Sequence, residues 1–164
     1  MDQQLLDALK SEYQALLEQG RLGDALPLIR QAAHWADVDS QILAERIYLH
    51  ELYGHPKKDT AGYEYARLAA MNEDVQSMYD LAKLYLEGQG IEHDSEKALY
   101  WLNKAAAAGN LEAMDALGMQ YLQARGVERD LAKAQEYFEK AAAGGLKPAE
   151  KHLQMAKLAA AREA

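Results

Sequence analysis

The side chains that could perform chemistry in this chain are five histidines, four serines and many carboxylates, and there is no cysteine. His50 and His55 are near enough in sequence to be considered as metal ligands. However, they lie on either side of a predicted helix end, no third ligand accompanies them, and their spacing is not that of a zinc motif. None of the serines occurs in the nucleophile-elbow context of hydrolases; they are Ser11, Ser40, Ser77 and Ser95.

The acidic side chains follow the pattern of a solvated helix surface. Many carboxylates lie in loops or three to four residues from a basic side chain on a helix, which is the spacing of surface ion pairs. The glycines at 88 and 90 do not form a phosphate-binding loop, because no strand precedes them. We therefore predict no catalytic residue, no bound metal and no cofactor, and we predict that the protein is not an enzyme.

An internal repeat provides the elements that position these side chains. Residues 74–109 are repeated as residues 110–145 at a fixed offset of 36. The two segments share far more identical residues than their composition alone would give. A constant period of this size indicates a stacked array of repeats. The matched pairs are Met78/Met114, Leu81/Leu117, Tyr85/Tyr121, Leu86/Leu122, Gly90/Gly126, Glu92/Glu128, Asp94/Asp130, Lys97/Lys133, Ala98/Ala134, Lys104/Lys140, Ala105/Ala141, Ala106/Ala142, Ala107/Ala143 and Gly109/Gly145.

Each repeat has the pattern of a helical hairpin. In residues 75–87 the apolar side chains recur every three or four positions, which predicts one helix with an apolar stripe. Gly88 and Gly90 end it, because glycine accepts a positive φ without steric cost. Asp94 or Ser95 can cap a second helix. Ala82 and Gly118 occupy the same repeat position, where a small residue lets two helices approach closely.

These residues resemble the Sel1-like repeat, an α/α hairpin related to the tetratricopeptide repeat. The resemblance lies in the segments LAKLYLEGQGIEHDSEKALYWLNKAAAAG and ALGMQYLQARGVERDLAKAQEYFEKAAAGG, and it covers about 72 residues. One departure is Ala124, which stands where the first glycine of the loop is expected. Because Gly126 remains, we expect the turn to survive.

Two further hairpins and a final helix extend the array. Residues 2–37 resemble a tetratricopeptide hairpin, whose first stripe is Leu5, Leu6, Leu9, Tyr13, Leu16 and Leu17. Residues 38–73 are a degenerate repeat with a long loop. The two clear repeats form hairpins at 74–109 and 110–145, and a capping helix with a polar outer face follows at about 147–162. We therefore predict an all-α fold. It would be a right-handed α/α solenoid that forms a single domain over 1–164.

The resemblance implies that the first helix of each hairpin lines a concave groove where a partner binds. We expect the partner-binding residues to be Gln76, Tyr79, Lys83, Leu86, Glu87, Glu112, Asp115, Met119, Leu122 and Gln123. Tyr79 and Met119 are the preferred candidates, because their positions vary between repeats. Leu86 and Leu122 are identical at equivalent positions and are equally explained as core residues.

Secondary candidates lie in the first half of the chain. Trp35 stands at a hairpin junction and either anchors an interface or is buried against Tyr48 or a neighbouring helix. The loop around His50 and His55 departs from the repeat, so it either carries function or has drifted without constraint.

Charge and composition restrict the class of partner. The net charge is −8, and the whole imbalance lies in residues 1–109, which contain ten basic and eighteen acidic residues. This disfavours nucleic acid and favours a protein or peptide with a basic surface, unless the charge serves only solubility. No apolar run is long enough to span a membrane, the start of the chain does not resemble a secretory signal, and there is no cysteine. We therefore expect a cytoplasmic protein.

Two functions stay open at this point. The resemblance implies an adaptor or scaffold in a bacterial-style signalling, secretion or envelope-assembly pathway. The alternative is a dedicated inhibitor or immunity protein that neutralises one toxin or enzyme, a function of some Sel1-like proteins. An adaptor should exchange partners at micromolar affinity, whereas an inhibitor should hold its target at about nanomolar affinity or below.

Overall fold

The computed structural model describes residues 2–163, and in that range all the regular secondary structure is helical. A short 3-10 turn, Leu52–Gly54, interrupts the long loop, and no strand occurs among the described residues. The fold class is therefore all-α, as predicted. The α-helices are α1 (Gln3–Glu18), α2 (Leu22–His34), α3 (Val38–Leu49), α4 (Asp59–Met71), α5 (Val75–Glu87), α6 (Ser95–Ala107), α7 (Leu111–Gln123), α8 (Leu131–Ala143) and α9 (Lys147–Glu163).

The chain divides into two compact units. Unit 1 comprises Met1–Ser77 and Gln89–Glu92, and unit 2 comprises Met78–Gly88 and His93–Ala164. The prediction of a single domain over 1–164 stays a prediction, and each unit is described by itself below. Among residues 2–163, no helix has both the length and the apolar character that crossing a bilayer requires.

Unit 1 is built from α1 to α4, each packed on the next. Its core combines large side chains from α1 and α3 with alanines from α2, and the small alanines allow the helices to approach closely. Leu5, predicted in the α1 stripe, is instead 53% exposed. It lies at the edge of the stripe, because its neighbour Leu6 takes the inward position. The main buried residues are Leu6, Leu9, Tyr13, Ala25, Ile29, Ala32, Ala33, Ala44, Ile47, Tyr48 and Tyr65.

Polar contacts fix the start of α3 in unit 1. Asp37 caps the helix by accepting a hydrogen bond from the Ser40 backbone N–H at 2.9 Å. The Lys10 ammonium of α1 donates to the same carboxylate at 2.9 Å. The Tyr13 hydroxyl lies 3.1 Å from the Ser40 hydroxyl. These contacts join α1 to α3, so the N-cap of one helix also holds another.

Unit 2 contains α6 to α9 and most of α5. Its core is formed by side chains that recur at the repeat period, including Leu81, Leu102, Leu117 and Phe138, all fully buried. A Cβ atom added at Gly118 would lie 2.5 Å from the Phe138 ring. Glycine is required there because the aromatic ring of α8 packs directly on the α7 backbone.

The loops that join the helices of unit 2 repeat one another closely. Asp94 and Asp130 are the N-caps of α6 and α8, and each accepts a backbone hydrogen bond at 2.9 Å, from Lys97 and Lys133 respectively. The cap predicted as Asp94 or Ser95 is therefore Asp94. At the end of α7, Ala124 adopts a left-handed conformation with φ of 55°. The turn survives the missing glycine, as predicted, but in a backbone conformation that costs alanine free energy.

The last helix differs in part from the polar cap that was predicted. Gln154 and Lys157 are exposed, in agreement with the sequence pattern. Met155 and Leu158 are also exposed, by 44% and 62%. The outer face of α9 is thus mixed rather than polar, because Ala149, Leu153 and Ala156 occupy the inward stripe and leave these two side chains outside it.

Candidate partner-binding surfaces

The ten residues predicted to bind a partner lie on α5 and α7, and none of them is fully buried. They form two groups by exposure. Polar side chains are the more exposed: Gln76, Glu87, Glu112 and Gln123. The half-buried ones are Tyr79, Lys83, Leu86, Asp115, Met119 and Leu122.

Tyr79 lies among carboxylates from two helices of unit 2. Burial, together with the negative charges of Asp80, Glu112, Asp115 and Glu87, raises the pKa of Tyr79 to about 12. The phenol is therefore neutral, and its O–H is a donor, at any physiological pH. Together Tyr79, Glu87, Glu112 and Asp115 form a surface that we call the acidic face.

A cation already lies near this aromatic ring. The Lys83 ammonium, one helical turn from Tyr79, is 5.8 Å from the centre of the ring. This distance is within the range in which a cation is attracted to an aromatic face. The ring can therefore accept a positively charged group while the neighbouring carboxylates supply the opposite charge.

Asp115 has a partner that the sequence pattern did not reveal. The Nδ1 atom of His152, on α9, lies 2.8 and 3.0 Å from the two carboxylate oxygens of Asp115. The side chains are only 15% exposed for Asp115 and 26% for His152. One edge of the acidic face is therefore held in place by the last helix. The two residues are 37 positions apart, so no local pattern could have paired them.

Two apolar members of the predicted groove are also core residues. Met119 and Leu122 pack against the buried cluster of Ala134, Phe138 and Ala156. For Leu122 this agrees with the alternative that its identity to Leu86 reflects packing. Their part in partner binding stays a prediction.

The secondary candidates of unit 1 lie around one stack of rings. The Tyr48 and Tyr65 rings are parallel, with centroids 5.7 Å apart, and the His55 ring contacts Tyr48 edge-on at 5.1 Å. Trp35 is half-buried against the unit 1 core, and His50 is exposed at the end of α3. Within residues 2–163, no three side chains of the types that bind metals converge on one point.

A cavity of about 520 Å³ opens beside this ring stack. Arg30 of α2, Lys58 before α4 and Arg67 of α4 bring positive charge to it, and Tyr48 and Tyr65 form part of its wall. We call it the basic pocket. Sequence reasoning marked Tyr48 and the loop that contains Lys58 but not this site, because its residues come from separate elements.

Helical hairpins of constant period, joined by capped turns, define the class of α/α repeat solenoids. Within it, the family model of the Sel1 repeat matches residues 42–74, 75–110 and 111–146, so this chain belongs to the Sel1 repeat family. The match includes the degenerate second hairpin and leaves the first hairpin outside. Proteins of this family are generally non-enzymatic modules for protein–protein interaction.

Solved structures with the same fold agree with this assignment. The chain is 32% identical to a Sel1 repeat protein from Oxalobacter formigenes, with a TM-score of 0.66, and the match covers 79% of this chain and 96% of that one. It is 26% identical, with a TM-score of 0.72, to a protective antigen of uropathogenic Escherichia coli strains that displays the same type of fold. That match covers 85% of this chain and 33% of the antigen.

A third structure shows likeness in the fold alone. Cysteine rich protein B of Helicobacter pylori is 21% identical, with a TM-score of 0.58, over 74% of this chain and 91% of that one. This chain contains no cysteine, so its hairpins are held by packing and hydrogen bonds. No curated protein matches the sequence.

Proposed function

We propose that this protein is an adaptor or scaffold that binds a basic segment of a partner protein at the acidic face. The observation that carries the proposal is the position of Tyr79, a half-exposed aromatic residue among carboxylates of α5 and α7. A face of this composition fits a lysine or arginine side chain with an apolar neighbour.

The physical basis is a combination of charge and aromatic contact. A partner cation gains attraction from Glu87 and Glu112, both exposed, and from the Tyr79 ring. The neutral Tyr79 hydroxyl can donate a hydrogen bond to a backbone carbonyl of the partner. The net charge of −8 favours the approach of a basic partner, so association should be faster at low ionic strength.

Selection from a random peptide library tests this proposal directly. We expect the wild-type protein to enrich peptides with lysine or arginine beside an apolar residue. The Kd of a selected peptide should rise at least about tenfold in the double variant Tyr79→Ala/Glu112→Lys. The matched control is Tyr53→Ala/Glu12→Lys, which changes an exposed tyrosine and an exposed glutamate of unit 1. Peptides without basic residues, or equal Kd values for both variants, would refute the acidic face as the site.

The strength of binding to the natural partner distinguishes an adaptor from an inhibitor. We expect micromolar affinity and exchange among several partners, which suits an adaptor. A single target held at about nanomolar affinity would instead favour the inhibitor or immunity function. Isothermal titration calorimetry with each natural partner measures the Kd and so distinguishes the two functions.

A further inference from the structure

The basic pocket of unit 1 is an aromatic cavity with positive charge around it. Its volume is about 520 Å³, and helices α2, α3 and α4 contribute its walls. The stacked rings of Tyr48 and Tyr65 are nearly fully buried, so they form a fixed inner wall. Leu68 and Ala61 add apolar surface beside them. The cavity therefore offers a flat apolar wall next to charged groups.

Two of the cations at this pocket lack an acidic partner. Arg67 pairs with Glu64 at 3.2 Å, and Glu64 is the one carboxylate among the residues that line the cavity. Among residues 2–163, no carboxylate lies within ion-pair distance of Arg30 or Lys58. Cations that converge without counter-charges repel one another, and an anion between them removes that cost.

The positions of Arg30 and Lys58 also favour an anion bound between them. Burial raises the pKa of the Tyr48 phenol, and the positive charge of Arg30 acts in the opposite direction, so Arg30 is close to the ring stack. Lys58 is the residue before the first turn of α4 and lines the cavity together with Tyr48 and Tyr65.

We propose that the basic pocket binds an acidic peptide segment. A carboxylate of the peptide pairs with Arg30 and Lys58, and an adjacent apolar or aromatic side chain packs on the Tyr48–Tyr65 wall. The proposal goes beyond the adaptor function argued above, because it assigns a second site of opposite charge preference in the other unit. A peptide is favoured over nucleic acid because one wall is apolar and the cluster holds few cations, whereas nucleic acid requires many phosphate contacts.

Fluorescence anisotropy with labelled probes tests the assignment. The probes are a short peptide that contains Glu-Phe, its Gln-Phe counterpart, its Glu-Ala counterpart and a single-stranded oligonucleotide; inorganic phosphate serves as a competitor. We expect the Glu-Phe peptide to bind at least about tenfold more tightly than either counterpart. Equal binding of the Gln-Phe peptide, stronger binding of the oligonucleotide, or full displacement by millimolar phosphate would overturn the proposal.

Charge-reversal variants locate the site. Arg30→Glu/Lys58→Glu should abolish binding of the Glu-Phe peptide, and the milder Arg30→Gln/Lys58→Gln should weaken it at least about tenfold while leaving the circular dichroism melt unchanged. The control Arg46→Glu/Lys151→Glu makes the same change in net charge at exposed positions outside the pocket and should bind like the wild type. Binding that survives in Arg30→Gln/Lys58→Gln, or that is lost in the control, would refute the pocket as the site. Tyr79→Ala/Glu112→Lys should keep this binding, which separates the test from that of the acidic face.

Discussion

Gly118 lacks a side chain because the Phe138 ring occupies the space where one would be. An added Cβ atom would lie 2.5 to 2.9 Å from three ring atoms of Phe138, well inside contact distance. Its counterpart one repeat earlier, Ala82, is fully buried. The requirement at this position is therefore for small volume, which the repeat comparison predicted.

Substitution of Gly118 by leucine should destabilise the protein. The larger side chain must displace Phe138 or move α8, and such overpacking costs about 1–3 kcal/mol. Gly23→Leu is the matched control, because Gly23 lies in α2 with nothing within 4 Å of an added Cβ. Urea denaturation of both variants measures the difference. If Gly118→Leu unfolds at the same urea concentration as Gly23→Leu, the close contact does not limit packing.

Asp37 should make stability depend on acid pH. Burial of this carboxylate raises its pKa, but hydrogen bonds from Ser40 and Lys10 outweigh that effect and lower the pKa below its ordinary value of 3.8. A lowered pKa contributes stability above the pKa of the unfolded chain, and this contribution is lost as pH falls through the folded value.

The test of Asp37 measures the free energy of unfolding of the wild type and of Asp37→Asn as a function of pH. We expect the wild type to be the more stable above about pH 5, and the difference to shrink below about pH 3. Asp24→Asn is the control, because Asp24 forms an exposed ion pair with Arg21 that contributes little at any pH. A difference between wild type and Asp37→Asn that stays constant with pH would show that the charge of Asp37 has no part in it.

At the scale of elements, the end of α7 carries avoidable strain. Ala124 adopts the left-handed conformation that glycine occupies at the equivalent position of the preceding repeat, Gly88. For a residue with a Cβ atom this conformation costs roughly 1–2 kcal/mol. The loop keeps its shape because Gly126 and the Asp130 cap fix the backbone on the far side.

Ala124→Gly should therefore stabilise the protein. Because glycine also loses more entropy on folding, we expect a net gain of about 0.5–1 kcal/mol in the free energy of unfolding. The control is Ala108→Gly at the C-cap of α6. The φ there is −82°, so alanine is unstrained and glycine relieves no backbone strain. Thermal denaturation followed by circular dichroism compares the two. A Tm that falls in Ala124→Gly would mean that alanine is not strained at this turn.

At the scale of the whole molecule, the net charge of −8 disfavours binding to nucleic acid. Binding to duplex DNA requires several cations that face phosphates together, whereas the basic pocket contributes only Arg30, Lys58 and Arg67. We expect that adding the wild-type protein to a fluorescently labelled DNA duplex at physiological salt leaves the fluorescence polarisation unchanged. The variant Arg30→Gln/Lys58→Gln should give the same result. Binding that weakens steeply with added salt would contradict this expectation.

The sequence by itself determined the features that depend on neighbours along the chain. The repeat period, the bounds of α5, the cap of α6 to within one residue and the family all follow from spacing, because helix formation and capping act over three or four residues. Tyr79, the preferred candidate on this basis, lies half-exposed among charged side chains. Its function there stays a prediction.

Tertiary structure decided the contacts between residues far apart in sequence. It paired Asp115 with His152, placed Met119 against the buried cluster that contains Phe138, and assembled the basic pocket around Arg30 and Lys58. None of these follows from periodicity, because the pairing of side chains from different helices depends on where each helix packs and how it is rotated. The sequence thus specified which residues form each helix, and only the packing of the helices brought their side chains together into the acidic face and the basic pocket.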